Sequence, residues 1–311
     1  MMLSRIANSL FWLGRYLERV EHMSRFTRVN YFASLDAPAV ISREYVIESI
    51  LQMNGYEKTT ALPESKALHY IAFDRENANS IINQVTAARD NARAARTIIS
   101  TELFEAINRF YHFVINYNIE LYTKTHLYDF THTVSEHSII IKGKVDSTLI
   151  HDDCWSIIMT GIYLEKAQQI IRAIDVKIND DMKLTPEITE RALVSHHLAT
   201  LLRGLEAFDM SRKYFRRAPD LENSMEFLLL NPDFPRSVLR CLEGLRYHLG
   251  RISRYTRPPR ESVEFAIRKA FSELEYREAS DIVPNLEEFL KAYTALLDKL
   301  ASRIESELFN F

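Results

Sequence analysis

The scarcity of glycine and proline constrains the fold of this chain more than any other feature of its sequence. Only 7 glycines and 9 prolines occur among 311 residues, and both shares lie below those of an average globular protein. Few positions are therefore suited to the tight turns and bulges that β-sheets need. Because 47% of the residues are hydrophobic, the chain can still build a substantial core. The sequence predicts an ordered, all-α protein.

Apolar residues recur with helical spacing between prolines and capping residues, and this pattern sets the predicted element boundaries. One segment, 138–145, carries three consecutive isoleucines and could instead form a strand, but no second β-rich segment offers it a partner. The predicted helices of the bundle span residues 3–33, 40–54, 64–72, 76–98, 101–121, 126–143, 151–178, 186–216, 222–229, 234–256, 262–280 and 285–308.

A helical stretch near the N-terminus is repeated in the middle of the chain. The sequence LGRYLERVEHMSR occupies positions 13–25, and TGIYLEKAQQIIR occupies positions 160–172. Their alignment matches the Gly-x-Tyr-Leu-Glu cores that begin at Gly14 and Gly161.

A second match follows in the same order along the chain. Residues 74–89 align with residues 231–246, with a serine and an arginine at equivalent positions of each. Two collinear matches favour a tandem duplication over chance. We therefore predict a single domain over residues 1–311, built from two sequence-related halves, 1–146 and 147–311.

A glycine and a glutamate one turn apart mark the first copy. Gly14, Glu18 and Arg25 project from one side of the predicted helix, since spacings of four and seven return to the same face. A glycine inside a helix costs about 1 kcal/mol relative to alanine, which indicates that another helix approaches closely at Gly14. Glu18 should then lie buried in the seam and accept a hydrogen bond from an arginine, because an unpaired buried charge is strongly unfavourable.

Two roles fit a carboxylate in such a seam: a structural ion pair, or a catalytic or ligand-binding group. The predicted donors to Glu18 are Arg89 or Arg93, which form one helical stripe with Arg96. Such a stripe is either a solvated face or a surface that grips carboxylates and phosphates.

Charge and motifs exclude several classes of protein. The formal net charge of −3 gives no general attraction to nucleic acid, and the basic runs SRKYFRR and RISRYTRPPR are interpreted as solvated helix ends. Cys154 and Cys241 lie in unrelated contexts, which fits a reducing compartment and argues against a disulfide framework or structural zinc. Neither the Glu-x-x-His motif of di-iron bundles nor a hydrolase, P-loop or dinucleotide signature occurs. We expect no metal and no cofactor.

The hydropathy of the chain predicts a cytoplasmic protein. No apolar run approaches the ~20 residues of a membrane span. The N-terminal segment is interrupted by polar residues and carries no small-residue cleavage site, so it is interpreted as mature structure. No contact with a membrane is expected.

Four separated blocks resemble the alpha-E domain family of bacterial proteins. They are MLSRIANSLFWLGRYLERVEHMSR, ARDNARAARTIISTELFEAIN, HDDCWSIIMTGIYLEKAQQIIRAIDV and LLLNPDFPRSVLRCL, and they follow the family's order across essentially the whole chain. The resemblance implies an all-helical fold. It also implies gene neighbours that encode circularly permuted ATP-grasp proteins and transglutaminase-like proteins, and thus a role in ATP-dependent amide ligation or peptide modification.

The resemblance also marks candidate site residues. The second half departs from the family's pattern at Ile162 and Gln168, so any working site should favour the N-terminal helix. Glu18 and Glu21 are the candidates for catalysis. The candidates for binding a ligand or partner are Arg15, Arg19, Arg25, Arg89, Asn91 and Arg93.

Three functions fit these residues. The first is an accessory or substrate-handling protein that works with an ATP-grasp ligase on a peptide substrate. The second is a stand-alone enzyme that uses Glu18 or Glu21 as a general acid or base, which requires a pKa moved toward neutrality. The third is a non-catalytic helical scaffold. A concave pocket that contains Glu18 would favour the first two, whereas a fully packed seam would favour the third.

Overall fold

The computed structural model describes residues 4–35, 43–56, 62–183 and 191–309. Throughout these ranges the regular structure is helical and no strand occurs, which confirms the predicted all-α class. None of the helices in the described part of the chain combines the length and the hydropathy of a membrane-spanning segment.

The helices are numbered in chain order, and their bounds lie close to the predicted ones. They are α1 (Ser4–Ala33), α2 (Arg43–Met53), α3 (Glu64–Ala72), α4 (Ile81–Ala94), α5 (Thr101–Ile115), α6 (Ile119–Lys124), α7 (Leu127–Thr148), α8 (Asp153–Lys183), α9 (Arg191–Gly204), α10 (Phe208–Phe215), α11 (Leu221–Met225), α12 (Val238–Ser253), α13 (Val263–Glu275), α14 (Ala279–Ile282) and α15 (Leu286–Leu308). A π-helical turn, Glu226–Leu230, follows α11, and a 3-10 turn, Val283–Asn285, precedes α15.

Three predicted helices are interrupted in the structure. The segment predicted at 262–280 ends as α13 and resumes as α14. The segment predicted at 101–121 ends with α5, and α6 begins anew because the Asn118 side chain accepts hydrogen bonds from the next amides. The described part of the segment predicted at 186–216 breaks at Glu206, which adopts a left-handed conformation with φ 55°. Residues 138–145 lie inside α7 and form no strand. Residues 3, 40–42 and 186–190 of the predicted helices lie outside the described ranges.

Four helices in each half pack in the same circuit. In the first half α1 contacts α4, α4 contacts α5, α5 contacts α7, and α7 returns to α1. In the second half α8, α12, α13 and α15 make the corresponding contacts in the same order. The short helices are inserted at matching points of the two circuits, and one continuous hydrophobic core runs through both.

Serine side chains start the equivalent helices of the two circuits. Ser80 and Ser237 cap α4 and α12, and Ser100 and Ser262 cap α5 and α13. Each hydroxyl oxygen accepts a hydrogen bond from the amide three residues later, at 3.0–3.4 Å. Such caps satisfy an amide that the helix itself leaves unpaired.

The two circuits join where α1 crosses α8. A methyl group on Gly14 would overlap the backbone carbonyl of Ile158, and a methyl group on Gly161 would overlap the carbonyl of Phe11. Each of these carbonyls lies three residues before the other helix's glycine, so the contact is reciprocal. The prediction that Gly14 admits another backbone is confirmed, and the neighbouring helix is the one that carries the second copy of the repeated stretch.

Candidate functional site

In the part of α1 that follows Gly14, the helix is buried on its polar side as well as on its apolar side. A helix enclosed on all sides must pair its charges inside the protein. The charged and imidazole-bearing residues of α1 that are buried are Arg15, Glu18, Glu21, His22 and Arg25.

Glu18 and Glu21 share cationic partners. We call the two glutamates and these partners, Arg25, Lys142 and Arg236, the Glu18 cluster. Glu18 accepts hydrogen bonds from Lys142 Nζ at 2.7 Å and from Arg236 Nη1 at 3.2 Å. Glu21 accepts hydrogen bonds from Arg25 Nη1 and Arg236 Nη2, each at 2.6 Å, and forms an ion pair with Lys142. The cluster thus ties α1 to α7 and to the segment that leads into α12.

The edge of the Glu18 cluster reaches the turn between α9 and α10. Arg25 Nε donates to the carbonyl oxygen of Gly204 at 2.8 Å, near the C-terminus of α9. Glu206, which is half exposed, lies 2.9 Å from Arg236 and 3.5 Å from Arg25. The left-handed turn at Glu206 therefore places a carboxylate where it neutralises the outer side of the cluster.

A second carboxylate, on α8, is neutralised from α1. Glu165 accepts hydrogen bonds from Arg15 Nε at 2.9 Å, from Arg19 Nε at 2.6 Å and from Gln169 Nε2 at 2.7 Å. Arg15 also donates to Gln168 Oε1 at 2.9 Å. We call these residues the Glu165 cluster. It spans the crossing, since both arginines belong to the first half and the glutamate to the second.

The carboxylates of both clusters stay ionised at neutral pH. Burial alone would raise the pKa of Glu18, but Lys142 and the neighbouring cations outweigh it and lower the pKa from its ordinary value of 4.5 to about 2. The same balance of burial against Lys142, Arg25 and Arg236 holds the pKa of Glu21 well below its usual range. The pKa of Glu165 is also lowered, because Arg19 and Arg15 outweigh its burial. These shifts oppose the one that general acid or base catalysis near pH 7 requires.

The predicted arginine donors to Glu18 were wrong. Arg89 donates to Asn108 Oδ1 at 2.9 Å and stacks on Tyr111, with 4.4 Å from its guanidinium carbon to the ring centre. Arg93 is 61% exposed and lies 3.9 Å from Asp90. The stripe on α4 therefore faces α5 and solvent, and half-buried Asn91 lies on the same helix outside both clusters.

The residues that pair with Glu18 were missed in the sequence. Lys142 lies in the isoleucine-rich segment of α7, and Arg236 lies in NPDFPRS. Arg236 lies in one of the blocks that carry the family resemblance, and its place in that block could have identified it as a partner of Glu18. Nothing in the local spacing around Lys142 distinguishes it from a solvated lysine.

Lys166, which aligns with Arg19, is partly exposed beside the crossing. Its ammonium forms a cation–π contact with Tyr163, 5.4 Å from the ring centre, and no ion pair with a described carboxylate. Burial lowers the pKa of Lys166, with nearby Glu18 opposing this effect and Lys142 adding to it.

Lys166 lines a surface recess of about 280 Å³. The absence of a side chain at Gly244 leaves room for the ring of Tyr163, since a methyl group there would lie 2.7 Å from the ring carbons. We call this depression the Lys166 recess, and its walls are formed by Tyr163, Lys166, Pro232, Asp233, Pro235 and Arg240.

Comparison with known families identifies the chain. Residues 2–309 match the Alpha-E family, described as a predicted alpha-helical domain with a conserved ER motif. A Glu-Arg pair stands at Glu18 and Arg19, and because adjacent helical residues point about 100° apart, Glu18 enters one cluster and Arg19 the other. No curated protein and no solved structure matches the chain significantly. The chain belongs to the Alpha-E family.

Proposed function

We propose that this protein is an accessory, substrate-handling protein without chemistry of its own, which works with an ATP-grasp-type ligase in the formation of amide or peptide bonds. The observation that supports a non-catalytic role is the burial and ion pairing of Glu18, the glutamate of the Glu-Arg pair. Glu18 is only 1% exposed, and two cations from other elements cover it. A substrate could reach it only by breaking the Glu18 cluster.

The Lys166 recess is the part of the crossing that can bind without such a rearrangement. The ammonium of Lys166 lines it beside the ring of Tyr163. Its walls also carry the carboxylate of Asp233 and the guanidinium of Arg240, which pairs with Glu243. Lysine and arginine are the side chains that bind carboxylates and phosphates. With a volume of about 280 Å³, the recess is smaller than most sites for whole ligands. It suits the terminal carboxylate of a peptide substrate.

The reaction class rests on the resemblance to alpha-E proteins. Their gene neighbours encode ATP-grasp proteins, which activate carboxylates with ATP, and transglutaminase-like proteins, which act on amides. A protein that presents a peptide carboxylate would supply the substrate of such a ligase. An ATP-dependent reaction of this kind also fits the expected cytoplasmic setting.

We further infer that the chain arose by tandem duplication of a unit equivalent to 1–146. The repeated helical circuit, the reciprocal glycine contacts and the four serine caps all support it. The two copies have since diverged, because Glu21 and His22 of the first correspond to Gln168 and Gln169 of the second.

Reconstitution with the neighbouring ATP-grasp protein tests the proposed function. ATP-dependent amide formation is measured with the ligase alone, with added wild-type protein, and with Lys166→Ala. The wild type should stimulate the ligase and show no turnover alone, whereas Lys166→Ala should lose the stimulation at unchanged melting temperature. Lys124→Ala, at an exposed lysine on α6, is the matched control. Turnover by the isolated protein, or full stimulation by Lys166→Ala, would contradict the proposal.

A further inference from the structure

The connection between α12 and α13 forms a basic groove with the exposed side of α13. The groove encloses about 510 Å³. Four cationic side chains line it, from Arg257, Arg260, Arg268 and Lys269, over apolar surface from Phe265 and Pro258. None of its lining residues is acidic. We call it the Arg257 groove.

Two of these cations have no counter-charge among the described residues. Arg268 pairs with Glu264, and Lys269 lies 3.5 Å from Glu273. Arg257 and Arg260 are exposed and form no ion pair or hydrogen bond with any described residue. Two unneutralised guanidinium groups thus project beside two cations that already have carboxylate partners, on a chain whose net charge is −3.

Comparison with the first half shows that the groove is an addition to the fold. The equivalent connection, between α4 and α5, also ends at a serine cap. The first connection runs from residue 95 to residue 100, and the second runs from residue 254 to residue 262. The second connection is therefore three residues longer, and it carries Arg257 and Arg260. Since the shorter connection joins the equivalent pair of helices in the first circuit, the extra residues are not needed to close the second circuit.

The backbone of this connection is held in place. Pro258 is buried, and the consecutive prolines 258 and 259 fix two backbone φ angles. The Ser262 hydroxyl donates to the carbonyl oxygen of Pro259 at 2.7 Å, and Arg303 of α15 donates to the carbonyl oxygen of Glu261. Such bracing reduces the entropy lost when a partner binds.

We propose that the Arg257 groove docks an acidic segment of a partner protein. Carboxylates would pair with Arg257 and Arg260, and an apolar side chain between them would cover Phe265. A nucleic acid fits less well, because binding of that kind draws on about 6–10 phosphate contacts along an extended basic surface, and the lining here offers four cations. The run RISRYTRPPR does contain an exposed helix end, as the sequence predicted, because α12 ends at Ser253 and Arg257 and Arg260 are exposed. This inference does not depend on the partner being a ligase.

A fluorescence anisotropy titration tests the docking proposal. The probe is a labelled peptide of about ten residues, rich in glutamate and aspartate around a central leucine, and its glutamine and asparagine counterpart is the neutral reference. The wild type should bind the acidic peptide, more weakly as salt rises from about 0.05 M to about 0.3 M. Arg257→Glu/Arg260→Glu should bind it at least about tenfold more weakly.

The matched control is Arg75→Glu/Arg109→Glu, which makes the same change of charge at two exposed arginines of the first half. It should bind like the wild type, and thermal melts should show that both variants fold. Equal losses in the two double variants, or no binding by the wild type, would overturn the proposal. Tighter binding of a single-stranded oligonucleotide of similar charge would overturn the assignment to an acidic protein segment.

Discussion

Replacement of Glu18 by glutamine tests whether the Glu18 cluster holds the protein together. The substitution keeps the shape of the side chain and removes its charge. Lys142 is then left with Glu21 as its counter-ion, and Arg236 is left with Glu21 and Glu206. The lowered pKa of Glu18 gives the expected loss in the free energy of unfolding. A fall from 4.5 to about 2 corresponds to about 3 kcal/mol at neutral pH, at about 1.4 kcal/mol for each pKa unit. Breaking a buried ion pair costs roughly the same, about 3–5 kcal/mol.

The measurement is the free energy of unfolding in urea for the wild type and Glu18→Gln. We expect a loss of about 3 kcal/mol at neutral pH. The matched control is Glu105→Gln, because that glutamate is exposed and lies 3.9 Å from Arg109. It should cost less than about 0.5 kcal/mol.

The pH dependence of this loss is a sharper criterion. A carboxylate whose folded pKa is lowered stabilises the protein above its unfolded pKa and loses this contribution as the pH falls toward the folded value. The contribution of Glu18 is therefore complete above about pH 5 and fades between about pH 4.5 and pH 2. At about pH 3 the difference between wild type and Glu18→Gln should fall to about half its neutral value. A difference that is small at pH 7, or that does not change with pH, would refute the buried ion pair.

The remaining predictions concern the glycine crossing and the two thiols. Gly14→Ala and Gly161→Ala should each destabilise the protein by about 1–3 kcal/mol or more, since the added methyl group meets a backbone carbonyl. Gly143 lies on α7, and a methyl group there would meet no atom within 4 Å. Gly143→Ala should therefore be neutral or raise stability by up to about 1 kcal/mol in the same melts. Equal effects at all three glycines would contradict the close contact. Cys241 should resist thiol reagents in the folded state at pH 8, because it is buried and burial raises its pKa to about 12. Cys154 should react slowly, because it is half-buried and its pKa is raised to about 11 by burial and by the neighbouring aspartates. Rapid modification of either thiol by Ellman's reagent before unfolding would show that the packing described for them is incorrect.

The sequence predicted features of the crossing whose causes are local. A glycine within a helical pattern has a cost that must be offset, so Gly14 indicated a close approach before the approaching helix was known. The same argument placed Glu18 in a buried seam with an arginine, and Arg236 fills that role. The identity of the donor depends on how α4 is rotated about its axis. Helical spacing groups Arg89 with Arg93 but does not fix which side of α4 faces α1.

The Glu-Arg pair links the two halves of this chain through their charges. The cation from Arg19 does not neutralise Glu18, its neighbour in sequence, but pairs with Glu165 of the second half. Glu18 in turn takes one of its two cations, Arg236, from the second half. Separation of the halves would leave Glu165 with no arginine and would expose unpaired charges on both sides of the glycine contact. Each circuit has its own four helices. The exchange of counter-charges between α1 and α8 nevertheless favours cooperative unfolding of the whole chain.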